Sequence, residues 1–88
     1  MTREELRNVE VGDIFQMSPA RSRDNHGVEV TAPVLVRVFD RHHLNNVDYN
    51  EIRVQFLTNA SESVRHYGDY VVGSDETIYV DSRNLTKI

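Results

Sequence analysis

Residues 28–38 read Val28-Glu29-Val30-Thr31-Ala32-Pro33-Val34-Leu35-Val36-Arg37-Val38, and the apolar residues Val28, Val30, Ala32, Val34, Val36 and Val38 occupy every second position. A period of two puts these side chains on one face of an extended chain, whereas a helix would scatter them, so the stretch is strand. Pro33 lacks the amide hydrogen a ladder needs, which predicts either two strands or one long strand bent near Ala32-Pro33 at a sheet edge. The alternation returns in Ile52, Val54 and Phe56, with Arg53 and Gln55 between them. Segments 34–39 and 52–57 are therefore expected to pair as a hairpin whose long tip is the polar, Asn-rich run 40–51.

Upstream of this block, Ile14-Phe15-Gln16-Met17 reads as a first strand, entered through Gly12-Asp13 and ended by Ser18-Pro19. Before it, Thr2 and Glu5 have the spacing of a capping box, with Leu6 and Val9 on one side of a single helical turn that acts as a lid. The connection 19–27 (PARSRDNHG) has no apolar anchor except Ala20 and reads as an exposed loop able to carry contacts. Downstream, Tyr70-Val71-Val72 and Thr77-Ile78-Tyr79-Val80 flank the turn 73–76 and predict another short hairpin. Asp81-Ser82-Arg83-Asn84 can bond its own backbone in one tight turn, after which 85–88 forms a last strand expected to close against an early one.

Eighty-eight residues of ordinary composition, 39% apolar and 27% charged, make one domain with one small core. No apolar run approaches the length that crosses a bilayer, and the first twenty residues mix acids with bases where a signal peptide is continuously apolar, so a soluble, cytoplasmic protein is expected. Without cysteine there are no disulfides, thiolate metal sites or thiol nucleophiles. The net charge of −4 argues against a surface that embraces nucleic acid or an anionic membrane throughout. It is unevenly spread: residues 1–18 carry −2, 19–43 carry +1 and 44–88 carry −3.

The strand count of five to six, the long loops after the first strand and within the central hairpin, and the tight turn before the last strand together resemble a small SH3-like β-barrel. The resemblance is carried by Val11-Gly12-Asp13-Ile14 leading into the first strand, by the hairpin 34–39/52–57, and by Tyr79-Val80-Asp81-Ser82-Arg83-Asn84-Leu85, where such barrels place a one-turn 3₁₀ helix. It implies a single mainly β domain spanning residues 1–88. The signature aromatics and acidic loop of polyproline-binding SH3 domains are not recognisable, and no Tudor-type aromatic cage can be assigned. The rival fold is an open sheet with the N-terminal turn packed on one face.

Among groups that could carry chemistry, Asp40, His42, His43 and Asp48, with His26 or His66 arriving from elsewhere, hold imidazole and carboxylate suited to zinc or nickel. Adjacent histidines on a strand point to opposite faces, so these read as surface loop residues and no metal or cofactor is expected. The serines lie in no nucleophile elbow and the isolated glycines cradle no phosphate, so an enzyme is the least expected class. Arg21, Arg23, His26, Arg41, His42 and His43 lie on the first loop and the hairpin tip, and could form a cationic patch for an anion or nucleic acid. Arg65, His66, Tyr67 and Tyr70 cluster beside Gly68, and Tyr and Arg are the enriched hot-spot residues of protein interfaces. Taken as complete from Met1, so short a chain has mainly a surface to offer. The leading expectation is thus a non-enzymatic interaction module, monomeric or homodimeric, whose loops 19–27, 40–51 and 62–70 dock on a larger protein. By analogy it would be an adaptor or an inhibitor, a role that small phage-encoded proteins also fill. The alternative is an RNA- or DNA-binding barrel using the Arg/His patch.

Overall fold

Pro33 divides the alternating stretch in two: in the computed structural model Val28–Val30 and Val34–Asp40 are separate strands and belong to different sheets. The structure describes residues 1–40, 51–57, 60, 62–66 and 77–88, and the backbone of 69–70. Over these residues the order is α1 (Arg3–Asn8), β1 (Ile14–Met17), a 3₁₀ turn (Ser22–Asp24), β2 (Val28–Val30), β3 (Val34–Asp40), β4 (Glu51–Phe56), β5 (Val64–His66), β6 (Asp69–Tyr70), β7 (Thr77–Asp81), a 3₁₀ turn (Ser82–Asn84) and β8 (Leu85–Lys87).

The ladders are antiparallel, and they build a five-stranded sheet in the order β7-β4-β3-β1-β8 and a three-stranded sheet in the order β2-β5-β6. The protein is therefore mainly β, in two antiparallel sheets, and among the described residues no ladder closes them into a barrel. Strands exceed the expected five to six because Pro33 splits one and because Val64–His66, within the expected loop 62–70, forms β5 against β2. The expected hairpin between β6 and β7 turns on 71–76, outside the described residues; the described ladders set β6 on β5 and β7 on β4.

Backbone bonds stitch the sheets where the chain passes between them. Ala20, just past β1, exchanges both bonds with Val30 of β2 at 3.0 and 2.9 Å, while within the smaller sheet Thr31 N–H donates to Ser63 O at 2.9 Å and extends the β2–β5 ladder by one position. The alternation places Met17, Val34, Val36, Val38, Ile52, Val54, Phe56, Val80 and Leu85 from the larger sheet in one buried cluster with Val28, Val30 and Val64 from the smaller. Burying each such side chain contributes about 1.5–3 kcal/mol, the main favourable term in so small a domain.

The expected capping box is complete: Glu5 N–H donates to Thr2 Oγ1 at 3.1 Å and Thr2 N–H donates to Glu5 Oε1 at 2.9 Å. Those bonds to Thr2 hold the exposed Glu5 carboxyl below its ordinary range. Just past α1, Val9 is buried in the core and Leu6 packs against it, as the spacing predicts. The Met1 nitrogen donates to Ser82 O at 3.1 Å and to Leu85 O, tying the start of the chain to the second 3₁₀ turn. That turn lies where the sequence puts it, and β8 pairs with β1 as expected, Gln16 opposite Thr86.

Candidate interaction cleft

The loop 19–27 closes through a left-handed pair, His26 at φ 53° and Gly27 at φ 85°, that returns the chain into β2. The αL region disfavours a side chain with a Cβ, so His26 is held there by its surroundings. Its Nδ1 lies 3.0 Å from Glu51 Oε1 at the start of β4, which fixes one edge of the imidazole. The preceding residue, Asn25, is fully buried: its Nδ2 donates to Val28 O at 3.3 Å, and its Oδ1 accepts from Asp81 N at 2.8 Å and from Asn84 Nδ2 at 3.3 Å. A loop with no large apolar anchor is thus fastened by one amide side chain to the end of β7.

At that end Asp81, with only 6% of its side chain exposed, grips Arg83 two residues on. Its carboxylate accepts the Arg83 backbone N–H at 2.9 Å, Nε at 3.0 Å to Oδ1 and 3.1 Å to Oδ2, and Nη2 at 2.6 Å. Burial pushes the Asp81 carboxyl up, but the Arg83 hydrogen bonds and charge outweigh it and hold the group below the ordinary aspartate value. The same contacts raise the Arg83 guanidinium. Arg83 nonetheless leaves 71% of its side chain in water.

Between this turn, the first loop and the β2–β5 ladder opens a cleft of about 770 Å³. Its lining alternates in sign, with Arg23, His26, Arg65 and Arg83 beside Asp24, Glu29 and Asp81. The ladder sets Glu29 directly opposite Arg65. Arg23 Nε stands 3.9 Å from Asp24 Oδ1, with both side chains largely exposed.

Two groups the sequence treats separately therefore meet here: Arg23 and His26 of the first patch, and Arg65 of the second. Arg21 does not join them; it lines a neighbouring hollow with Pro19, Ala20 and Thr31. His66 is half-buried on β5 opposite Val28, and Tyr70 belongs to β6. Arg41, His42, His43, Asp48 and Tyr67 lie outside the described residues. Among the described residues no group of three or more His, Asp or Glu is placed to hold a metal ion, and no helix is long and apolar enough to cross a membrane. Asp81 and Arg83, like Asp24 and Glu29, are cleft residues that the sequence reading does not single out, and neither does it single out the buried Asn25 that anchors the loop. The signal for Asp81 and Arg83 is the Asx-type turn 81–84, which the sequence reading uses for its backbone alone.

Elsewhere the outer face of the larger sheet carries a stack. The β3–β4 register slips between Val38–Val54 and Asp40–Arg53, leaving Phe39 as an extra, 47% exposed residue. Arg53 lies 5.0 Å from the Phe39 ring centroid and 5.8 Å from that of Tyr79, and its Nε donates to Thr77 Oγ1 at 2.8 Å.

Fold and cleft define a small two-sheet β domain with a mixed-charge surface recess. No protein-family model, curated protein sequence or solved structure matches the chain.

Proposed function

We propose that this protein is an SH3-like, non-enzymatic interaction module, an adaptor or inhibitor working in the cytoplasm, and that it docks a larger protein at the cleft between its first loop and β5. The observation that carries this reading is the convergence of Arg23, His26, Arg65 and Arg83, from three separate stretches of chain, on one recess. Two of these side chains are oriented by carboxylates, His26 by Glu51 and Arg83 by Asp81. Orientation before contact lowers the entropy lost on binding, and Arg is among the residues that dominate interface energies. Asp24, Glu29 and Asp81 alternate with the cations, which suits a partner surface of mixed charge better than a continuous run of phosphates. The RNA- or DNA-binding alternative is therefore not preferred.

The test is affinity capture and cross-linking with the intact protein. Arg65→Glu is expected to abolish capture of a defined partner while circular dichroism is unchanged, and Arg3→Glu on α1 is expected to leave capture intact. Capture insensitive to substitutions throughout the cleft overturns the reading.

A further inference from the structure

The geometry points to a carboxylate-binding site at Arg83, which receives an acidic side chain of the docked protein; the inference rests on the interaction reading and names what the cleft recognises. Asp81 takes the side edge of the guanidinium, Nε with one hydrogen of Nη2. A guanidinium has a second bidentate edge, Nη1 with the other hydrogen of Nη2, and covalent geometry turns it away from the carboxylate on the first. With the side chain 71% exposed and lining the cleft, that edge is offered to a ligand. The buried Asp81 acts as a positioning residue: it fixes the plane and direction of the fork, so little freedom is lost when a second carboxylate arrives.

The surroundings select the anion. Arg65 and Arg23 share the cleft, but Glu29 stands opposite Arg65 and Asp24 beside Arg23, so the lining has no excess of positive charge to reward a second negative charge on the ligand. A planar carboxylate matches the fork with two coplanar oxygens and one charge; the second charge of a phosphate dianion gains nothing from a lining whose signs cancel, and its larger desolvation cost is left uncompensated. The two hydrogen bonds offered by the second edge of Arg83 do not involve His26, whose Nδ1 faces Glu51.

The side-chain Nε–Hε resonances of the arginines report the site directly in heteronuclear NMR. The intact protein is titrated with three probes at low salt: the blocked peptide acetyl-Gly-Glu-Gly-amide, its Gln counterpart, and inorganic phosphate. The Glu peptide is expected to shift the Arg83 resonance along a saturating curve, with the Gln peptide without effect and phosphate at least threefold weaker. Arg83→Gln leaves the buried Asp81 carboxylate without its charged partner, so it is used beside Arg83→Lys, which keeps a charge facing Asp81 but has no second edge. With folding checked by circular dichroism and binding read from the Arg65 Nε–Hε and backbone amide resonances, both are expected to weaken the Glu peptide at least tenfold. Arg37→Gln, at an exposed position of β3 outside the cleft lining, is expected to leave it within twofold. Phosphate binding tighter than the peptide overturns the carboxylate assignment in favour of a phosphate site, and equal response to the Glu and Gln peptides overturns an anion site altogether. Either failure is separable from failure of the interaction reading: a defined partner still lost on Arg65→Glu keeps that reading and removes this inference alone.

Discussion

Asn25 Oδ1 accepts the backbone N–H of Asp81 at 2.8 Å across 56 positions of sequence, with both residues buried. Asn25→Ala strips that N–H and Val28 O of their buried partner together. An unsatisfied buried polar group costs about 1–3 kcal/mol. Urea unfolding should show a loss of about 2–4 kcal/mol for Asn25→Ala, large for one surface loop. The control Arg21→Ala, at an exposed position, should fall within about 0.5 kcal/mol of wild type. Equal small losses would mean that the loop is not fastened through Asn25.

The depressed Asp81 carboxyl sets a direction for acid sensitivity. A carboxylate whose folded value lies below its unfolded one adds stability that is fully present above the unfolded value and disappears as pH falls through the folded value. For Asp81 the loss therefore begins below the ordinary aspartate value of 3.8 and continues downward. Melting temperatures of wild type and Asp81→Asn should differ by a constant amount at neutral and mildly acidic pH and converge below that point. A gap that is already closing near neutrality would contradict the assigned Asp81–Arg83 pairing.

His26 separates backbone strain from side-chain contact. Both His26→Gly and His26→Ala remove the imidazole and its Glu51 partner, but only glycine occupies φ near 53° without penalty. The glycine variant should be more stable than the alanine variant by about 1 kcal/mol. Reversal of that order in thermal unfolding would mean the loop relaxes out of the left-handed conformation.

On the sheet's outer face, the Arg53 stack predicts a coupling. A double-mutant cycle with Arg53→Met and Phe39→Leu should give an interaction term of about 0.5–1 kcal/mol, diminished little by salt, as expected of a cation over a ring. Additive effects would place Phe39 and Arg53 side by side without mutual stabilisation.

What could be read from the sequence was local. The period-two run from Val28 to Val38, the Thr2–Glu5 spacing and the Asx turn at Asp81 each encode their structure within a few residues, and each forms as expected. Pro33 showed that the run is interrupted, though not that its halves enter different sheets, because sheet membership depends on Ser63 and Ala20 arriving from elsewhere. Arg21 and Arg23, two positions apart, were grouped as one patch; the 3₁₀ turn beginning at Ser22 sends them to separate hollows. Arg83 went unnoticed because its meaning comes from a carboxylate that tertiary packing buries. The Phe39–Arg53 stack was equally hidden, since a one-residue slip in register leaves no mark on composition or periodicity.

The pairing of β8 with β1, and of Asn25 with residues 81–84, governs the order in which the molecule can assemble. The pairings of β1 with β3 and of β3 with β4 close shorter spans of chain than the pairing of β8 with β1, so they can zip earlier. The first loop lags: the Asn25 amide can bond Val28 O locally, but its Oδ1 waits for Asp81 and Asn84 to dock. During that interval the loop is open to proteases and its left-handed turn lacks its long-range anchor, so the cleft takes shape only once residues 81–84 are in place. If the cleft docks a partner as proposed, copies in which residues 81–84 have not yet met Asn25 cannot engage it.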